Sequence, residues 1–167
     1  MATKNDFTTD EWQALRDAPQ LVALATAAAG NSGLFGSLSE GMAMASSIAE
    51  AARGENSLLR EVFGKDEIRA AQAQIRTGLK SVTDRARLNT HLQTAAADGI
   101  KAALSALTAK AATADTEAFR KLLTGIGDKV ANASKEGGFL GFGGERVSEG
   151  ERQFLAQLKS LVGGATA

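Results

Sequence analysis

Four carboxylates, Glu136, Glu145, Glu149 and Glu151, bracket a run of glycine-rich chain from Gly137 to Gly144. Oxygen-rich sites of this kind, with backbone carbonyls beside them, suit calcium or magnesium. Glu145 and Glu149 are the two residues a divalent cation would use. Glu151 reads most simply as the partner of Ser148 in a capping box, and Glu149 as a first-turn carboxylate facing the helix dipole. No other cofactor is expected.

Phosphate chemistry fits less well. Gly30 to Gly36 and Gly137 to Gly144 each precede a helix start, where free N–H groups favour anions. A phosphate loop also needs a preceding strand, and a Lys then Ser or Thr after the last glycine. Neither run has these, and Glu145 and Glu149 put negative charge where phosphate would sit. Covalent chemistry has no candidate. His91 is the single histidine, there is no cysteine, and no serine stands in a nucleophile-elbow motif. The catalytic set is empty, and the chain reads as a non-enzyme.

The glycine runs also carry large apolar groups: Leu34 and Phe35 in the first, Phe139, Leu140 and Phe142 in the second. One reading has them plug into the core and close the bundle. The other has an exposed Phe-Leu tip that docks a partner protein, a second copy or a membrane surface. The lack of a flanking Lys/Arg cluster disfavours the membrane version.

The elements that must position these groups are helices. Alanine is abundant, one proline is present, and aromatics make up only 5% of the 167 residues, so helix formers outweigh strand formers. Residues 1–7 read as a disordered tail. Thr8 with Glu11 opens a short helix to about Arg16, and Asp17-Ala18-Pro19 starts a second that runs to Ala29 and is apolar nearly all round. Ser37 with Glu40 opens a helix to Arg53, Asn56 caps a short one stopped by Gly64, and Asp66 begins another. The apolar positions of that helix, Ile68, Ala71, Ile75, Leu79 and Val82, form a narrow stripe with polar flanks. Thr83 or Asp84 restarts or merely bends the segment, and a face follows from Leu88 to Leu107, with Asp98-Gly99 a solvent-side pair or a kink within it. Asp115 caps the next helix, and Ser148 with Glu151 opens the last. The expectation is an all-α compact helical bundle of seven to eight helices, a single domain over 8–162, with 163–167 loose.

Charge and localisation signals are bland. Lys and Arg number 19 and Asp and Glu 19, so a nucleic-acid partner is not expected. Residues 1–59 carry net −4 and residues 60–112 net +4, a polarity that could orient a partner. Without cysteine, disulfides and thiolate sites are excluded. No signal-peptide pattern opens the chain, and the longest apolar run, Leu21 to Ala29, is far short of the ~20 residues that span a bilayer. A cytoplasmic location is the default.

Two stretches echo each other at an offset of about 108. Val22-Ala23 matches Val130-Ala131, and Gly30, Gly33 and Gly36 match Gly138, Gly141 and Gly144. Ser39-Glu40-Gly41 matches Ser148-Glu149-Gly150 after a one-residue gap. Chance alignment in an Ala/Gly-rich chain and an internal pseudo-twofold duplication both account for this.

The segment Gly144-Glu145-Arg146-Val147-Ser148-Glu149-Gly150-Glu151-Arg152-Gln153-Phe154-Leu155 resembles the D-G-x-V-S-x-x-E-x-x-x-L motif of the tellurite-resistance protein B-like (TerB-like) family. Its first carboxylate is shifted by one residue, onto Glu145. The resemblance implies an all-helical, internally duplicated cytosolic protein of a bacterial stress response, with an acidic motif associated with metal ions. The reading that joins these observations is a non-enzymatic helical scaffold or adaptor, acting through a protein partner or self-association. A divalent-metal-responsive stress protein and a peripheral membrane protein are the alternatives.

Overall fold

Capping chemistry sets where the helices start. The computed structural model describes residues 2–30, 38–80, 84–133 and 147–164, the side chains of 38–41, 85 and 86 excepted. The fold is an all-α bundle: α1 Thr9–Ala29, α2 Leu38–Arg53, α3 Ser57–Val62, α4 Lys65–Leu79, α5 Arg85–Lys110, α6 Thr113–Ala133 and α7 Glu149–Gly163. The Thr8 hydroxyl accepts from Glu11 N–H and the Glu11 carboxylate accepts from Thr8 N–H, closing the expected box. Asn56 caps α3 through Leu59 N–H and Asp84 caps α5 through Arg87 N–H. Asp66 stands in the first turn of α4, as expected, while Asp115, expected as a cap, lies instead inside the first turn of α6. There Asp115 accepts from Asn56 Nδ2 at 2.7 Å, tying α6 to the start of α3.

Two expectations need correction. The break at residues 17–19 is absent, and α1 runs unbroken through Pro19. Proline removes the donor that would meet the Leu15 carbonyl, which costs about 3 kcal/mol in a free helix. Leu15, Ala18 and Val22 are fully buried around it, and burying each large side chain is worth about 1.5–3 kcal/mol, so packing overrides the local preference. Nor is the N-terminal stretch a loose tail. Lys4–Asp6 forms a 3-10 turn boxed by Thr3 and Asp6, and Phe7 is buried with its ring 5.9 Å from that of Trp12.

α1 is the central element. α5 lies along most of its length, crossing closely at Gly99, where an added Cβ would meet Leu21 and Ala18 at 3.6–3.8 Å. Gly99 is therefore a helix-crossing residue, while Asp98 is exposed. α2 packs mainly on α6, and α7 on α6 and α1. α2 thus packs mainly on the other hairpin's first helix, whereas α7 packs first on its own, and α1 and α6 have the same length of 21 residues.

The main core joins Leu15 and Val22 to Val62, Phe63, Ile100, Leu104, Leu107, Phe119, Leu123, Ile126 and Leu158. A smaller cluster holds Ala25, Leu92, Ala96 and Phe154, with Leu24, Leu79 and Leu88 packed at its edge. At the end of α7, buried Arg120 donates to the Val162 carbonyl, one of the carbonyls a helix end leaves unmet. α4 is the least embedded long helix. Only Ala71 is buried, and its substantial packing is against α1 alone.

Candidate functional site

The apolar residues singled out for partner contact, Leu34, Phe35, Phe139, Leu140 and Phe142, lie outside the described residues, as does Glu145. Glu149 is described. It sits exposed in the first turn of α7, with Oε2 accepting from Arg152 at 2.8 and 3.3 Å and Oε1 accepting from Gln153 at 3.0 Å. Arg152, then Gln153, hold its carboxyl below the usual range. Glu151 is buried and committed to the capping box with Ser148. A cation at Glu149 would have to displace Arg152. Among the described residues no three His, Asp or Glu side chains converge as a metal-binding group. His91 is exposed.

What the start of α7 does is dock. A Cβ at Gly150 would lie 2.3 Å from the Ala29 carbonyl oxygen, and one at Gly30 would lie 2.9 Å from Glu151 Oε1. The last turn of α1 and the first turn of α7 meet without room for a methyl group, which explains glycine at both positions.

A groove of about 460 Å3 lies between α1, α2, α4 and the start of α5, and a larger hollow of about 610 Å3 lies between α5 and α7. Leu24, Met44, Ile75, Leu79 and Leu88 supply the groove's apolar lining, and Gln72, Arg76 and Lys80 its polar lining on α4. The groove exists because the α4 stripe is narrow. Ala71 reaches the interior, while Ile75 and Leu79 are left half-buried over the edge of the smaller core cluster. Gln20 also lines the groove. It is 4% exposed, and its amide makes no hydrogen bond among the described residues. Its amide is not among the buried polar groups left without a partner, so it opens onto the groove. Arg76 and Lys80 are exposed and make no ion pair among the described residues. The α5/α7 hollow has a more polar lining that includes Lys101, Ser105, Thr108 and Ser160.

Polar contacts behind the groove hold α4 in place. Buried Arg16 donates to Asp17 at 2.7 and 3.2 Å and to Gln74 at 2.8 Å, and lies 3.7 Å from Glu67. Glu67 also pairs with Lys4, and Gln74 donates to Gln13 at 3.3 Å. Burial pushes the Glu67 carboxyl up, but Lys4, the Trp12 indole N–H and the charge of Arg16 outweigh it and hold the group below the usual range. The indole Nε1 closes no hydrogen bond of ordinary length, so its dipole acts across a gap. One half of α4 is thus pinned by charge to α1, and the other half forms the groove wall.

None of the residues of the groove, or of the polar contacts that hold α4, is a site candidate from the sequence alone. The readable signal was the narrow stripe of Ile68, Ala71, Ile75 and Leu79, which is too thin to bury a whole helix face. No helix among the described residues is long and apolar enough to cross a membrane. Compared with known protein families, curated proteins and solved structures, the chain finds no match.

Proposed function

We propose that the chain is a non-enzymatic helical binding module, an adaptor-type protein that holds the apolar part of another molecule in the α1/α2/α4/α5 groove. The observation that carries this reading is the groove itself. It is of ligand-site size, its walls are aliphatic, and a few polar groups converge on it. Its driving force is the removal of apolar surface from water. The divalent-metal reading has less support, because the Glu149 carboxylate is already engaged by Arg152 and Gln153. The stress-response setting implied by the TerB-like resemblance stays part of the proposal. Its ground is the sequence resemblance of the segment from Gly144 to Leu155.

The test is titration of the full chain with the neutral apolar dye N-phenyl-1-naphthylamine. Saturable binding at one site per chain is expected, lost in the Ile75→Asp, Leu79→Asp double variant under conditions where its helicity shows it still folded. Equal dye binding by wild type and variant would remove the groove as the site.

A further inference from the structure

We propose that the groove's ligand is a single-chain amphiphile with an anionic head, a medium- or long-chain fatty carboxylate. This rests on the binding-module reading above. Three features of the groove select that chemistry. Among the described residues the apolar lining is aliphatic or thioether, from Leu24, Ile75, Leu79, Leu88 and Met44, with no aromatic ring. A flat ring would find nothing to stack on, whereas a flexible methylene chain packs well against such side chains.

The rim is basic. Arg76 and Lys80 stand four residues apart on α4, on one face a turn apart, and neither has an ion-pair partner among the described residues. A guanidinium takes a carboxylate through two parallel hydrogen bonds, and a neighbouring ammonium adds charge. A cationic amphiphile would be repelled by the same pair. Gln20 is the third feature. Its amide makes no hydrogen bond among the described residues and is not a buried unsatisfied group, so it opens onto the groove and can offer a hydrogen bond to an occupant.

Size favours a small ligand over a protein segment. About 460 Å3 falls within the range of small-molecule sites. A standard protein interface uses roughly 20–30 residues a side, several times the lining of this groove.

The experiment uses the full chain and three probes of one chain length below their micelle concentrations: dodecanoate, dodecylamine and dodecan-1-ol. Each is followed by calorimetry and by displacement of the neutral dye. Dodecanoate should bind one per chain, at least tenfold more tightly than dodecylamine. Affinity should rise roughly fourfold per methylene from octanoate to dodecanoate, as expected for burial of each group. In the Arg76→Glu, Lys80→Glu double variant the order should invert, with dodecylamine now preferred. Both positions are exposed, so folding should be unaffected, and helicity and the urea midpoint check this.

Equal affinity for all three probes, unchanged by charge reversal, would overturn the anionic-head assignment and leave the groove reading standing. Dye binding with no displacement by any of them would overturn the acyl ligand. Absence of dye binding as well would overturn the binding module itself. A Leu/Glu amphipathic helical peptide that displaces dodecanoate at tenfold lower concentration would show that the occupant is a protein helix, which also overturns the proposal.

Discussion

Replacing Gly150 by alanine should destabilise the protein, although alanine is the better helix former. A Cβ there would lie 2.3 Å from the Ala29 carbonyl oxygen, while ordinary contact starts at 3.4 Å, so roughly 1 Å of space must be opened. The obstacle is backbone, which cannot rotate away. The first turn of α7 must therefore lift from the last turn of α1, or both must bend. Overpacking of this kind costs about 1–3 kcal/mol. The helix-propensity gain of alanine over glycine, up to about 1 kcal/mol, offsets only part of it. The expected net loss is about 1–2 kcal/mol, a fall in Tm of about 2–8 °C for a chain of this size. Gly125→Ala in α6 is the matched control, because nothing lies within 4 Å of its added methyl group. It should leave stability unchanged or raise it by up to about 1 kcal/mol. Urea and thermal unfolding followed by circular dichroism measure both variants. If Gly150→Ala is as stable as Gly125→Ala, the two helices do not approach as closely as described.

Phe119→Ala removes a fully buried ring from the main core and should cost about 3–5 kcal/mol in urea unfolding. Ser148→Ala removes the hydroxyl that caps α7 and should cost about 1 kcal/mol, with faster amide exchange confined to the first turn of that helix. For Glu67 the effect depends on pH. Its folded pKa lies below the unfolded value, so its contribution is fully present above the ordinary carboxylate range and is lost as pH falls through the folded pKa. The stability gap between wild type and Glu67→Gln should therefore be widest near neutral pH and shrink on acidification. A gap that widens instead would reverse the assigned shift.

Local chemistry was legible in the sequence and tertiary arrangement was not. Thr8 with Glu11, Asn56, Asp84 and Ser148 with Glu151 all cap as their spacing predicts, because a capping bond is made within three or four residues and needs no distant partner. Pro19 misled for the complementary reason. Its cost is local, but the burial of Leu15, Ala18 and Val22 that overrides it depends on helices far away in the chain. Phe7 was hidden in the same way, since its ring finds Trp12 only once the N-terminal turn folds back. The groove is the strongest case. Leu24, Met44, Ile75 and Leu88 come from four helices, and each alone reads as ordinary core. Only the thin stripe of α4 signalled that one helix face would stay partly open.

The account centres on the groove as a binding site, and methyl NMR of the chain with dodecanoate tests this directly. The methyl signals of Leu24, Met44, Ile75, Leu79 and Leu88 should shift together along one saturation curve and show contacts to the acyl chain. Shifts concentrated instead at Leu104 and Leu161, beside the α5/α7 hollow, or no saturable shift at all, would contradict it.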